Sequence, residues 1–146
     1  MLQVLLRCLL LTLRVGATSA LATEIALVTA REGAIRQVER NDAEQLYLGR
    51  LSALPNGTPV RLHDLPPGPT RNAFYQYLIR KNALQTRAHW SRMVFTGRAR
   101  PPVETSGHEA MIGTLLADPN AIGYLPAELV PDSLRTLLVV GQDPAR

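Results

Sequence analysis

The run Asp118-Pro119-Asn120-Ala121-Ile122-Gly123-Tyr124-Leu125-Pro126 restricts what this chain can fold into more than any other stretch. Asp-Pro-Asn is turn chemistry, because proline presets φ and the Asx side chains fold back onto their own backbone. The apolar residues after it end at Pro126, which cannot donate to a strand ladder. The pattern predicts a turn feeding a short strand. Gly123, inside that strand, marks a place where another backbone or a ligand comes close.

The remaining segments predict elements of both kinds. Glu24 to Ala30 is nearly continuously apolar and reads as a strand buried on both faces. Asn41-Asp42 are N-cap candidates for a helix from Ala43 to Leu48, ended by Gly49, with Leu46 facing the core beside Ala43 and Tyr47. Pro55-Asn56-Gly57 is a turn leading to a strand from Thr58 to Leu62. The rigid loop Pro66-Pro67-Gly68-Pro69 delivers a helix over about 71–80, with Phe74, Tyr77 and Leu78 as its core stripe. A second helix runs from Leu84 to Phe95 and ends at Gly97. A proline-bearing extended link, Arg98 to Val103, follows. Thr105 or Ser106 caps a helix over about 108–117, whose apolar positions are Met111, Ile112, Leu115 and Leu116. Pro126 to Ser133 is a short helix or loop, and Leu134 to Val140 is the closing strand. Strands and helices alternate, which predicts an α/β fold with a mostly parallel sheet and flanking helices.

The ends divide the chain. A basic start, the apolar stretch Cys8 to Leu13 and the small-x-small site Ala20-Leu21-Ala22 predict a signal peptide over 1–22, with cleavage after Ala22. One domain over 23–141 and a polar tail over 142–146 remain. Arg14 interrupts the apolar stretch, so an amphipathic N-terminal helix that stays attached is the alternative. Cys8, the single cysteine, lies in this segment, and the mature chain would offer no thiolate ligand or cysteine nucleophile. No transmembrane segment is expected in the mature chain, since no other run is long and apolar enough. Without Arg7 and Arg14, fourteen basic residues face twelve acidic ones, and no basic run suggests nucleic acid.

Few residues point to chemistry. His63, His89 and His108 show no metal-ligand spacing, so no metal or cofactor is expected. Ser106 and His108 stand close in sequence but outside any nucleophile elbow, which makes a small hydrolase the weakest reading, and no enzyme is expected. Trp90, Phe74, Phe95 and Tyr77 are expected in the core. Arg98 and Arg100, with Arg92 nearby, form the densest basic patch: either a solvated face or a docking site for an acidic partner or an anion.

Taken in order, the motifs resemble the periplasmic phosphate-binding proteins, the solute receptors of ABC importers. The matching pieces are Ile25-Ala26-Leu27-Val28, Leu46-Tyr47-Leu48-Gly49-Arg50, Pro55-Asn56-Gly57, Arg71-Asn72-Ala73-Phe74, Trp90, Phe95-Thr96-Gly97, Pro101-Pro102, Asn120-Ala121-Ile122-Gly123-Tyr124 and Leu137-Leu138-Val139-Val140. The resemblance covers almost the whole mature chain. It implies a single lobe of a type II periplasmic-binding-protein-like fold, and an exported periplasmic solute-binding protein for phosphate or another small anion. A membrane permease, a sensor or a porin would be its partner.

In the family a serine, glycine and threonine before an arginine offer hydroxyls and N–H groups to phosphate at a helix N-terminus. The equivalent stretch here is Gly68-Pro69-Thr70-Arg71. Thr70 and Arg71 match, but the serine is absent and Pro69 removes an N–H. The resemblance therefore implies weak binding. Pro-Thr-Arg is equally a plain helix start with Thr70 as cap. Thr105-Ser106-Gly107-His108 is a second candidate anion nest, or an ordinary N-cap. Such receptors close two lobes on their ligand, and this chain supplies one. The alternative is thus a periplasmic sensor or protein-interaction module that has lost transport ligand binding.

Overall fold

All six residues of β1 (Ile25–Ala30) are buried, as a nearly continuous apolar run demands. In this computed structural model, which describes residues 23–141, β1 lies inside a five-stranded sheet. The expected signal peptide and cleavage site over 1–22, and the tail over 142–146, lie outside the described residues. The remaining elements are α1 (Arg40–Tyr47), β2 (Arg61–Asp64), α2 (Pro69–Ile79), α3 (Ala83–Phe95), β3 (Val103–Glu104), α4 (His108–Ala117), β4 (Ala121–Pro126), a 3-10 turn (Ala127–Leu129) and β5 (Leu134–Val140).

The strand order is β3-β2-β4-β1-β5. β2 pairs in parallel with β3 and β4, whereas β1 is antiparallel to both β4 and β5. Four strands thus share a direction and β1 alone runs against them. The sheet is mixed, with two parallel and two antiparallel pairings, where the alternation of elements predicts a mostly parallel one. Thr29, the one polar residue of β1, donates its Oγ1 hydrogen bond to the Ala121 carbonyl at 2.8 Å, so its burial leaves no hydroxyl unpaired.

β4 shows how the sheet divides the core. Gly123 faces α4, and the next residue, Tyr124, stacks on Phe74 of α2 with centroids 3.7 Å apart. Helices therefore cover both faces. A Cβ at Gly123 would run into the buried Met111 thioether and come within 3.4 Å of Leu115 Cδ2. The close approach that a strand glycine signals is made by these side chains. Gly123→Ala is expected to cost about 1–3 kcal/mol through overpacking, measured by urea unfolding. A cost of only a few tenths would mean that Met111 swings aside.

The turn before β4 sews the sheet together. Asp118 Oδ1 accepts from Asn120 N–H at 2.9 Å, the Asx geometry that its sequence predicts. The same carboxylate forms a forked ion pair with Arg61, which holds its pKa below the usual aspartate value. Asn120 Nδ2 donates to the Pro59 carbonyl at 2.9 Å.

Several local expectations are corrected. α1 starts at Arg40 with Glu39 as N-cap, not at Asn41-Asp42. Arg40 is drawn into the helix by its ion pair with Glu44 and by donating to the Tyr77 carbonyl at 2.7 Å. The strand expected over 58–62 forms over Arg61–Asp64, because Asn56 Oδ1 accepts from Thr58 N–H and prolongs the turn. The extended link ends in β3, a two-residue strand paired with β2. Phe95, expected in the core, is 93 % exposed, and Tyr77 is half-buried while its neighbour Tyr75 is fully inside.

Candidate functional site

The C-terminal ends of β2 and β3 lie side by side, with Asp64 opposite Glu104. Each strand passes through a short loop into a helix, β2 into α2 and β3 into α4. In parallel sheets the crevice beyond such strand ends is the usual ligand position. Both helices have glycine N-caps, Gly68 and Gly107, in almost the same extended conformation (φ 161°, ψ −175° and φ 159°, ψ −170°). Neither helix has a side-chain cap, so the N–H groups of both first turns are left for solvent or a ligand. A hollow of about 320 Å³ lies where they meet, lined among others by Pro69, Thr70, Arg71, Gly107 and His108.

The candidates from sequence divide accordingly. Thr70, Arg71 and Gly107 line this hollow. Thr70 does not cap α2: it follows Pro69 in the first turn, and Gly68 holds the cap position. Thr105 does not cap α4 either. Its N–H and its hydroxyl both bond to the Asp64 carbonyl, at 2.8 and 3.0 Å, which fastens the start of the loop to β2. Ser106 is exposed and outside the lining residues of the hollow.

Arg71 is held from three sides. Its Nη1 donates to the Leu65 carbonyl at 3.2 Å and to Glu104 Oε2 at 3.1 Å, and its Nη2 lies 3.4 Å from Asp64 Oδ2. Two carboxylates thus already meet its charge. Asp64 is itself buried, and burial raises its pKa against the opposing effects of its hydrogen bonds and of Arg71. Tyr75 donates to Asp64 Oδ2 at 2.8 Å, and Tyr124 donates to Oδ1. Tyr124 in turn accepts from Leu65 N–H at 3.2 Å. Burial, and then the Asp64 charge, pushes both tyrosine pKa values up, so both stay donors.

Asp64 and Glu104 escape a reading of sequence alone. The only trace of Asp64 is a charge at the end of a strand, directly before a proline-rich loop. Nothing local announces Glu104. The histidines stand apart on β2, α3 and α4. His89 Nε2 lies 2.8 Å from the Leu48 carbonyl, and burial lowers the pKa of His63. Among the described residues, no three His, Cys, Asp or Glu side chains gather to hold a metal. Ser106 and His108 share no hydrogen bond among the described residues.

No family model matches the chain, and no curated protein does. Solved structures do. A phosphate ABC transporter substrate-binding protein from Clostridium perfringens, with bound phosphate, superposes with a TM-score of 0.60 at 17% identity, over 80% of this chain and 44% of its own. An ABC-type phosphate transport receptor from Vibrio cholerae superposes with a TM-score of 0.52 at 10% identity, over 80% of this chain and 46% of its own. The chain spans less than half the length of either. The likeness establishes the fold: an α/β unit shared with part of each of these two structures, with a mixed five-stranded sheet and helices on both faces.

Proposed function

We propose that this is an exported, non-enzymatic solute-binding-type domain that holds phosphate or another small anion weakly between the starts of α2 and α4. One observation carries the reading: two uncapped helix N-termini open onto one hollow beyond adjacent parallel strands. Their N–H groups and dipoles favour an anion. The fold supports it, since one structure of the same fold is described with phosphate bound. Affinity is low for three reasons. Pro69 brings no N–H to the first turn of α2, and the Arg71 guanidinium is engaged by Asp64 and Glu104. Glu109, in the first turn of α4, competes there with the anion. A membrane permease would be the partner in uptake. A sensor or a porin would be the partner if the domain instead serves signalling or protein interaction, a reading that the engaged Arg71 favours.

Inorganic phosphate titrated into the ¹⁵N-labelled domain at constant ionic strength tests this. The Thr70, Arg71, Gly107 and His108 amides are expected to shift together and saturate at millimolar phosphate, corresponding to about −4 kcal/mol. Glu104→Gln, which frees part of Arg71, is expected to tighten binding severalfold. Amides that stay still as phosphate rises well beyond this range would remove the anion half of the reading.

A further inference from the structure

Residues 80–103 carry six cationic side chains (Arg80, Lys81, Arg87, Arg92, Arg98 and Arg100) and no acidic one. The rest of the described stretch, 23–141, carries seven cationic and eleven acidic ones. Charge is therefore separated within the domain, net +6 over this segment and −4 over the remainder. Among the described residues none of the six cations is in an ion pair.

The end of α3 is an exposed tip inside this segment. Gly97 takes φ +65°, its N–H bonds to the Val94 carbonyl, and the Arg98 N–H bonds to the Met93 carbonyl, both at 3.0 Å. This pair of bonds is a Schellman turn, which fixes the backbone at the helix end. The Thr96 hydroxyl adds a bond to the Arg92 carbonyl at 2.8 Å. All five residues 94–98 are exposed, and Phe95 is 93 % so. Two consecutive apolar side chains, Val94 and Phe95, are thus held in water by a rigid turn. Arg92, three positions before Phe95, is its neighbour on the helix surface. Arg98 stands three positions after it, across the turn, and Arg92, Arg98 and Arg100 are all exposed.

We propose that this tip docks on an anionic lipid surface, with Val94 and Phe95 entering the headgroup layer while Arg92, Arg98 and Arg100 meet lipid phosphates. The separated charge orients the domain, cationic segment first, toward an anionic surface. An apolar tip beside cations is the combination that such a layer holds, apolar below and anionic above. Phe95 also borders a groove of about 950 Å³ that Trp90 floors, but Arg92, Arg98 and Arg100 lie outside its lining. The carboxylates of that groove, Asp64 and Glu104, are engaged with Arg71. The three cations therefore flank the tip and not the recess. An acidic protein segment would need a pocket among them for its anchor residue, whereas a fluid array of phosphates needs none. A second copy of this chain would bring two cationic tips together, which is unfavourable. The inference goes beyond anion binding at the helix starts, and either can fail alone.

The full domain is sedimented with vesicles of phosphatidylglycerol and phosphatidylcholine in equal parts, and with vesicles of phosphatidylcholine alone. It is expected to pellet with the first and to stay in solution with the second. Phe95→Ser and Arg98→Glu, both at exposed positions, should each weaken binding about tenfold, with thermal unfolding like that of the parent. Raising salt until the Debye length falls to about 3 Å should weaken it as well. Arg36→Glu changes net charge as much as Arg98→Glu does, at an exposed position outside the segment, and should leave binding unchanged. Glu104→Gln should also leave it unchanged, and inorganic phosphate should compete no better than chloride at equal ionic strength. These two arms separate the lipid surface from an anion at the helix starts. Absent pelleting, equal pelleting with both vesicles, or Phe95 and Arg98 variants that bind like the parent would overturn the proposal. An effect of Arg36→Glu as large as that of Arg98→Glu would do the same, by making the attraction diffuse. Release by inorganic phosphate would assign the binding to the helix starts and overturn it. So would a soluble peptide of glutamate and leucine that displaces the domain from the vesicles, by assigning the tip to an acidic protein.

Discussion

Gly49→Ala is expected to destabilise the domain by about 2–5 kcal/mol, from two separable causes. The first is backbone. Gly49 closes α1 with φ +72°, a conformation that costs an L-residue about 1–2 kcal/mol. The second is contact. A Cβ there would stand 2.8 Å from Trp90 Cη2 and 3.0 Å from Ala99 Cβ, too close for either to remain in place. Trp90 is nearly buried and cannot retreat without disturbing the groove that it floors, and such overpacking typically costs about 1–3 kcal/mol. Gly57 provides the control. It has φ +87°, but no atom lies within 4 Å of where its Cβ would be. Gly57→Ala should therefore lose only the backbone share. In thermal unfolding the Gly49 variant should melt lower by about 10 °C or more, and the Gly57 variant by about half as much or less. Equal losses would show that the Trp90 contact contributes nothing. Tyr47, two residues before this glycine, fills the core under α1, and the glycine makes room for the Trp90 indole.

What the sequence discloses follows how locally each feature is decided. β5 forms over Leu134–Val140 as its apolar run predicts, and the Asp118-Pro119-Asn120 turn makes the hydrogen bond that its residue types favour. Both depend on neighbours in sequence. The direction of β1 depends on strands about a hundred residues away, to which no local pattern refers. β3 has two exposed residues and exists only because the edge of β2 is open beside it. Phe95 fails as a core residue through phase. It lies five positions after Trp90, roughly 140° around the helix from the buried face. The caps fail for a different reason. Thr105 is a good capping residue in isolation, but the Asp64 carbonyl competes for its hydroxyl and wins. The two candidate nests are legible as positions, since Thr70, Arg71 and Gly107 do line one hollow. Their chemistry is not, because Asp64 and Glu104, which occupy Arg71, come from other segments.

Asp64→Ala is expected to cost about 3 kcal/mol or more, because it removes one member of a buried polar network and strands the others. Tyr75 and Tyr124 would lose their acceptor and Arg71 would lose one of its two carboxylates. Asp64→Asn keeps an acceptor oxygen at nearly constant volume and should cost less at neutral pH. The comparison of the parent with Asp64→Asn also carries a pH signature. Burial dominates at Asp64 and raises its folded-state pKa above the unfolded value near 3.8. The folded protein then binds this proton more tightly than the unfolded chain does. The contribution of Asp64 is fully present below the unfolded pKa and is lost as pH rises through the folded one. Asp118 has the opposite sign, since Arg61 lowers its pKa and its contribution fades as pH falls. It is common to both proteins and cancels in the difference. Urea unfolding of the pair from pH 3 to pH 8 should therefore show the parent losing ground to the asparagine variant as pH rises above about 4, with a plateau once Asp64 is ionised. A constant difference would mean that the carboxyl does not titrate differently on folding. A parent that gains on the variant with rising pH would mean that Tyr124, Arg71 and Tyr75 outweigh burial, and that Asp64 is an anion bound into the fold rather than one strained by it.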